Sequence, residues 1–251
     1  MGSISPQGAD PDILPNIILH IEILDVSKPV VNRVLSVPRA MTFNTFHFAL
    51  QVAFCWDIDD VNKPYCFKAI DCPTIFPWQR PEARNLVAQH DGPKNLYILR
   101  EQDLRPPRNG KCYDSRKMPV GALFHFNRGS RDSGEIPVVT YEYDGWTHFI
   151  SFVGFGQKTS QRACCLAGQG ASLAKGCGGP QAWAELKRIY TKPENDLTQQ
   201  DRDRKAWYES DCKNGLDIGV FPWEWRMEEV NWDLSRLWDT KALLEFYNIA
   251  A

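Results

Sequence analysis

The sequence predicts an α+β fold, a mostly antiparallel β-sheet with helices packed on it. Strand-like runs bounded by turn residues occur at 16–24, 30–37 and 138–150. Two further segments, 43–54 and 180–190, place apolar residues at helical spacing. Strands joined by a two-residue turn must run antiparallel, so the helices are left to cover the sheet rather than to connect its strands.

Length and charge set the broad class. The chain has 251 residues, with 29 Lys and Arg against 31 Asp and Glu, so its total charge does not indicate a nucleic-acid partner. It contains no run of about 18 apolar residues and no signal-peptide pattern at its start. We therefore expect a cytoplasmic protein with no membrane segment. The polar residues 1–14 predict a mobile lead-in to a single domain at 15–251.

Eight cysteines raise the question of a metal site or disulfides. Structural metal sites usually contain Cys-x2-Cys pairs, and this chain has none. It also has no His pair at ligand spacing. We therefore expect reduced, mostly buried thiols, with no metal and no cofactor.

The first helix is predicted directly after the first strand pair. Strand 16–24 and its partner 30–37 are followed by Pro38 and Thr42, which introduce the helix. Its apolar face carries Phe43, Phe46, Leu50 and Phe54. His47 falls on that face, where it is either a hydrogen-bonded core residue or a substrate-binding group.

The helix is followed by Trp56 and three closely spaced acids, Asp57, Asp59 and Asp60. These acids form either a solvated turn or an acidic pocket. A pocket of this kind would bind a guanidinium group through charge-assisted hydrogen bonds.

Residues 80–131 are basic, with eleven Lys and Arg against five Asp and Glu. Within them, the stretch 100–117 contains Pro-Pro and Asn-Gly, which predicts a long loop inserted in the domain. The loop either solvates the surface or follows a phosphate backbone. The candidate phosphate-binding residues are Arg100, Arg105, Arg108, Lys111, Arg116 and Lys117.

The run 138–150 predicts a hairpin with a tight turn at Asp144-Gly145. Alternate side chains of a strand share a face, so Glu142 and Asp144 are expected on one face and Tyr141 and Tyr143 on the other. Across the turn lie Trp146 and His148. Because a purely structural hairpin rarely combines two acids with a nearby histidine, we predict a reactive site here.

The last third of the chain contains a small-residue loop and many tryptophans. The loop 168–180 matches neither Gly-x4-Gly-Lys-Ser/Thr nor Gly-x-Gly-x-x-Gly, so it does not support an ATP or dinucleotide site. A helix from about Ser235 is expected at the C-terminal end. This Trp-rich C-terminal extension is expected to seal a core with Trp207, Trp223, Trp225, Trp232 and Trp238.

Three segments resemble motifs of the plasmid pRiA4b ORF-3-like family, which has the MM3350-like fold. They are the helix and Trp-Asp turn at 43–57, the Tyr-Glu-Tyr-Asp-Gly-Trp-Thr-His strand pair at 141–148, and Cys-Gly-Gly-Pro at 177–180. Their order and spacing fit over about residues 16–190. The chain lacks the family's Phe-Gly-Asp insert after Asp144 and its histidine near 62–63.

The overall layout is similar to that of the fungal arginine-containing cyclodipeptide synthases. This resemblance implies an enzyme that takes arginyl-tRNA and a second charged tRNA and releases a cyclo-Arg-Xaa diketopiperazine. It further implies Glu142 or Asp144 as the base and His148 as a proton shuttle. Tyr141, Tyr143 or backbone amides would stabilise the oxyanion. One of the three acids at 57, 59 and 60 would bind the arginine guanidinium, beside Trp56, Trp146 and His47.

The sequence leaves open both the mechanism of aminoacyl transfer and the class of function. Direct transfer is favoured because no Gly-x-Ser-x-Gly elbow is present, and the alternative is a covalent relay on Ser151, Ser172 or a cysteine. A different class of function, a non-catalytic module that binds nucleic acid or protein, would use the same hairpin only as structure.

Overall fold

The computed structural model describes residues 15–56, 58, 63–70, 96–99, 111–124, 138–157, 162–212, 214–216, 220–221 and 223–237. These residues contain eight strands and four α-helices. The strands are β1 Asn16–Ile23, β2 Asn32–Val37, β3 Tyr65–Ile70, β4 Leu96–Leu99, β5 Lys111–Asp114, β6 Val138–Tyr143, β7 Trp146–Gly156 and β8 Cys164–Gln169. The helices are α1 Phe43–Ala53, α2 Pro180–Ile189, α3 Gln199–Ser210 and α4 Met227–Arg236.

All eight strands form one sheet in the order β5-β4-β3-β6-β7-β1-β2-β8. Every neighbouring pair is antiparallel except β4 and β5, which run parallel. The predicted α+β class and the predicted pairing of the first two strands are therefore confirmed. The β6–β7 hairpin lies in the middle of the sheet, with neighbouring strands on both sides.

Helix α1 packs on one face of the sheet with the residues that its periodicity predicts. Phe43, Phe46, Leu50 and Phe54 are all buried. The Thr42 hydroxyl caps the first turn by accepting a hydrogen bond from the Thr45 amide at 3.2 Å. Helix α4 contacts both α1 and β8, so it packs beside α1 and against the edge strand.

The two faces of the sheet differ sharply in chemistry. The face that α1 covers, the core face, carries an apolar and aromatic row that includes Tyr141, Phe67 and Ile98, all fully buried. The opposite face, the outer face, carries polar residues at the alternate positions, among them Thr140 and Lys68. Polar chemistry is therefore concentrated on the face away from the helix.

One charged side chain lies inside the core. Arg33 on β2 is fully buried, and its guanidinium lies 4.5 Å from the centre of the Trp225 ring. It donates to the carbonyl of Ala53 at the end of α1 and to the carbonyls of Gln169 and Gly170 at the end of β8. Burial lowers the pKa of Arg33 to about 10. The side chain thus joins the last turn of α1 to the edge strand of the sheet.

Two predictions about local structure need correction. The predicted loop 100–117 contains strand β5 at Lys111–Asp114, which pairs with β4; its residues 100–110 lie outside the described ones. The helix expected from about Ser235 falls almost entirely outside the described residues, as does Trp238, and the described helix α4 ends at Arg236. Trp223 and Trp232 do not seal the core, because they are 66% and 65% exposed. In α4 it is Val230 and Leu234 that face inward.

Several predicted segments lie wholly or partly outside the described residues. Residues 1–14 lie outside the described ones, and so does most of 80–131. All seven described cysteines are free thiols, three of them buried and only Cys55 exposed. Within the described ranges, no helix has the length and apolar character needed to cross a membrane.

Candidate functional site

The Asp-Gly turn has the geometry that the sequence predicts. Asp144 and Gly145 both have positive φ angles, 54° and 78°, as a type I′ turn requires. This turn sets the register in which Tyr143 faces Trp146 and Glu142 faces Thr147. Tyr141 and Tyr143 consequently point to the core face, and Glu142 points to the outer face and is exposed.

An open cleft of about 400 Å³ lies beside the turn. Glu142 forms part of it, together with its two cross-strand neighbours Thr147 and Cys66. Burial, and secondarily the Glu142 carboxylate, raises the pKa of Cys66 to about 12. The remaining lining residues are Pro64, Tyr65, Leu99, Tyr143, Asp144, Gly145 and Trp146.

The two acids of the hairpin have different environments. Asp144 forms an ion pair with Lys63, and its other carboxylate oxygen accepts a hydrogen bond from the Gly176 amide at 3.0 Å. Both of its oxygens are therefore engaged in holding the turn. Glu142 lies on the outer face in the cleft, so it is the better candidate of the two for a base.

The structure does not bring His148 to the acids for which it was expected to be a proton shuttle. His148 is paired with Tyr141 across the hairpin, on the core face, and is fully buried. Its Nδ1 lies 3.3 Å from the Tyr141 carbonyl oxygen. Burial lowers the pKa of His148 to about 3, so the imidazole is neutral at physiological pH. It lies on the wrong face to exchange protons with Glu142.

Trp56 contacts the hairpin on the core face. Its ring centre lies 5.4 Å from that of His148, 6.2 Å from Tyr143 and 6.3 Å from Trp146. Its indole N–H donates to the Leu173 carbonyl at 2.9 Å. The structure therefore brings Trp56 and Trp146 together as predicted, but inside the core. The three acids expected beside them, Asp57, Asp59 and Asp60, lie outside the described residues.

His47 and Tyr141 form a buried pair in the core. The His47 Nδ1 lies 2.6 Å from the Tyr141 hydroxyl, and the ring stacks on Tyr65 at 3.8 Å. Burial raises the pKa of Tyr141 well above its ordinary value, so its hydroxyl stays protonated. The structure does not bring these residues, or Tyr143, into contact with the outer-face carboxylate.

The predicted basic residues divide between the two faces. Arg116 and Lys117 form ion pairs with Asp114 at 3.5 and 3.4 Å. Asp114 is paired with Leu99, a lining residue of the cleft, so both cations are held at the edge strand next to that residue. Alternation in β5 places Lys111 on the other face. Arg100, Arg105 and Arg108 lie outside the described residues.

The Cys-Gly-Gly-Pro motif packs directly on the Asp-Gly turn. Gly178 and Gly179 have φ angles of 95° and 94°. A Cβ atom on Gly179 would lie 2.7 Å from the carbonyl oxygen of Gly145. Two motifs that are far apart in the sequence thus form one contact, and the glycines are needed for their close approach.

The family model described as "Plasmid pRiA4b ORF-3-like protein" matches residues 16–225, which is most of the chain. The chain belongs to the plasmid pRiA4b ORF-3-like family. Its fold is similar to that of the crystal structure of protein of unknown function MM3350 from Methanosarcina mazei Go1. The TM-score is 0.56 and the sequence identity 16%, over 85% of this chain and 96% of MM3350. None of the curated proteins matches the chain.

In this pRiA4b ORF-3-like protein, sequence reasoning missed two lining residues of the cleft, Cys66 and Thr147, and it missed Lys63, which is bound to the lining residue Asp144. Lys63, Cys66 and Thr147 lie far apart in the chain or carry no motif. The signal for Thr147 and Cys66 is the strand register, because both occupy positions opposite Glu142. Lys63 reaches Asp144 from the segment before β3, and no sequence pattern indicates that contact.

We expect Gly179→Ala to destabilise the protein by about 2 kcal/mol, because alanine is strained at positive φ and its Cβ would collide with the Gly145 carbonyl. Gly154→Ala is the matched control, since a Cβ there meets no atom within 4 Å. It should change stability by less than about 0.5 kcal/mol. Urea unfolding of both variants measures this, and equal losses would contradict the proposed contact.

The buried His148 should make stability depend on pH. Its pKa is about 3 in the folded protein against 6.5 as the ordinary value, so between these pH values only the unfolded chain binds the extra proton. Stability should therefore fall as the pH drops below about 6.5, by up to about 1.4 kcal/mol per pH unit from this residue. The free energy of unfolding of His148→Gln, measured from pH 7 to 4.5, should lack that contribution, so it should depend less steeply on pH than that of the wild-type protein. An unchanged slope would refute the assignment.

Proposed function

We propose that the protein is an aminoacyl-tRNA-dependent cyclodipeptide synthase that joins arginine to a second amino acid and releases a cyclo-Arg-Xaa diketopiperazine. The observation that carries the proposal is the outer-face cleft with its exposed Glu142 carboxylate, on the same sheet whose edge strand β5 is followed by the cations Arg116 and Lys117. A carboxylate can bind the amine of an aminoacyl group through a charge-assisted hydrogen bond, and cations can bind the phosphates of its tRNA.

The reaction requires the protein to place the two substrates and to transfer protons. An aminoacyl-tRNA ester is already activated, so a nucleotide-binding loop is not required. The two aminoacyl ends must be held close enough for the amine of one to attack the ester of the other. Glu142 would accept a proton from the attacking ammonium group. The ring closes when the second amine attacks the remaining ester and the second tRNA is released.

The cleft can orient the reacting groups because its floor is rigid. Glu142 lies on a central strand that is paired on both sides, with Cys66 on β3 and Thr147 on β7. On the edge strand β5, Asp114 forms ion pairs with Arg116 and Lys117. A tRNA acceptor end that crosses this edge would place its terminal ester over the cleft.

The competing function is a non-catalytic module that binds nucleic acid or protein. The observation that favours it is that Asp144 is fully engaged in the turn and His148 is buried, which leaves the hairpin with fewer reactive groups than the sequence suggests. Such a module would bind tRNA through Arg116 and Lys117 and release no product.

The purified protein should convert a mixture of charged tRNAs to an arginine-containing cyclic dipeptide, detected by mass spectrometry. Glu142→Gln should lower the initial rate by about 100-fold or more, because it removes the proton acceptor. Glu185→Gln is the matched control, an exposed glutamate of α2 that lies outside the cleft. Product formation at the wild-type rate by Glu142→Gln would remove the base assignment, and no product from the wild-type protein would favour the binding module.

Binding of tRNA should depend on the cleft-side cations. The Arg116→Gln/Lys117→Gln variant should bind tRNA more weakly. The slope of its log binding constant against log salt concentration should be shallower by about one to two. Lys111→Gln should change binding less, because its side chain lies on the opposite face of the same strand. Affinities measured from low to moderate salt check this. A larger effect at Lys111 would place the tRNA on the core-face side of the edge.

A further inference from the structure

The oxyanion of the proposed reaction is out of reach of the two tyrosines that the sequence suggests for it. When the amine of one aminoacyl group attacks the ester of the other, the carbonyl oxygen becomes negatively charged and needs a donor or a cation beside it. Tyr141 and Tyr143 point into the core, away from the outer-face carboxylate of Glu142. Stabilisation of this oxygen therefore requires a group on the outer face, near Glu142.

The strand register places a lysine on the outer face beside Glu142. Lys68 on β3 is directly opposite Thr140 on β6, and Glu142 follows Thr140 by two residues on the same face. Lys68 and Glu142 are thus diagonal neighbours, which lie about 7 Å apart in an antiparallel strand pair. Lys68 also follows the cleft residue Cys66 by two residues on its own strand. The lysine therefore belongs to the same part of the outer face as the cleft.

The Cys66 thiol is influenced by both charges. Burial raises the pKa of Cys66, the Glu142 carboxylate raises it further, and the Lys68 ammonium acts in the opposite direction. A negative neighbour favours the neutral thiol and a positive neighbour favours the thiolate, so both charged groups act on the same sulfur atom. The Lys68 Nζ lies 5.8 Å from the centre of the Tyr97 ring on the next strand. The carboxylate and the ammonium group thus lie around one thiol of the cleft.

Neither of these two charges is paired within the part of the chain that the structure describes. The half-buried Lys68 forms no ion pair there, and the exposed Glu142 carboxylate accepts no hydrogen bond there. By contrast, Asp144, the other acid of the hairpin, is paired with Lys63. An unpaired carboxylate and an unpaired ammonium group at this separation can hold between them a ligand group that carries both charges.

We propose that Lys68 is a catalytic residue that stabilises the oxyanion, with Glu142 binding the attacking amine. This inference rests on the proposed function for the identity of the reaction. The tetrahedral intermediate that forms from an amine and an ester carries positive charge on its nitrogen and negative charge on its oxygen. Glu142 and Lys68 match that distribution, whereas the planar ester carbonyl is uncharged. The pair therefore binds the transition state more tightly than the substrates, as catalysis requires.

The bonds and protons of this step balance without a further reagent. The ammonium group first loses one proton to Glu142, which releases it to water. The neutral amine then forms a bond to the ester carbonyl carbon, and the oxygen that becomes negative accepts a hydrogen bond from Lys68. Glu142 takes a second proton from the nitrogen and passes it to the terminal tRNA oxygen as the carbon–oxygen ester bond breaks. An amide and free tRNA result, and Lys68 keeps its protons throughout.

The first experiment tests the site without requiring turnover. The probe is a phosphonate monoester analogue of arginine, which is tetrahedral and carries a negative oxygen, and the comparison ligand is the planar, neutral arginine amide. In calorimetry, the full-length protein should bind the phosphonate at least about 10-fold more tightly than the amide. Lys68→Met should lose this preference, and Lys68→Arg should keep part of it. Lys205→Met, an ion-paired lysine of α3, is the matched control and should behave as the wild-type protein does. An undiminished preference in Lys68→Met, or no binding of the phosphonate by the wild-type protein, overturns the proposal.

The second experiment tests the role of Lys68 in the reaction. Lys68→Met should lower kcat for dipeptide formation by about 100-fold or more, because one donor to the oxyanion is lost. The KM for charged tRNA should change by less than about 2-fold, since the ammonium group acts on the transition state. Lys68→Arg should recover part of the loss because it keeps the charge. A raised KM with an unchanged kcat would make Lys68 a contact to tRNA phosphate and would overturn the assignment.

The two experiments separate the role of Lys68 from the synthase function. If Lys68→Met makes cyclic dipeptide at the wild-type rate, the oxyanion role is wrong while the synthase function stands. If the wild-type protein makes none from any charged tRNA, the synthase function is wrong and the oxyanion role falls with it. The phosphonate preference then decides whether Glu142 and Lys68 bind an amine beside a negative oxygen. Circular dichroism of every variant confirms that folded protein is compared in each case.

Discussion

The alternation of side chains across the β6–β7 hairpin is the constraint on which the rest of the structure depends. Tyr141, Tyr143, Trp146 and His148 all point into the core, where Trp56 and His47 pack against them. A slip of one residue would expose this aromatic set and bury Glu142 without a partner. The burial of the aromatic face therefore fixes which groups the protein presents on the outer face, including the Glu142 carboxylate.

A second constraint holds the tip of the hairpin. The Asp144 carboxylate is bound by Lys63 and by the Gly176 amide, and the Gly145 carbonyl meets the backbone of Gly179. The acid that looks most reactive in the sequence is thus a structural residue. Its position leaves Glu142 as the carboxylate that the cleft presents, which separates two acids that the sequence alone cannot tell apart.

Much of this arrangement could be predicted where the causes are local. The spacing of Phe43, Phe46 and Leu50 predicted α1, and Asp-Gly predicted the turn. The position of His148 was also within reach, because a two-residue turn that pairs Tyr143 with Trp146 must pair Tyr141 with His148. By contrast, β5 is short and forms a parallel pair with β4. The basic sequence around β5 contains no pattern that predicts this strand. The buried Arg33 and the pairing of Lys68 with Thr140 likewise depend on sheet order, which a single sequence does not contain.

We propose that the outer face binds the aminoacyl end of tRNA, whereas the helix-covered face is core. The most direct test is a crystal structure of the protein with a non-hydrolysable aminoacyl-adenosine, in which an amide replaces the ester. We expect the aminoacyl group on the outer face, with its amine beside Glu142. Electron density for the analogue among Trp56, Tyr143 and His148 on the core face would contradict it.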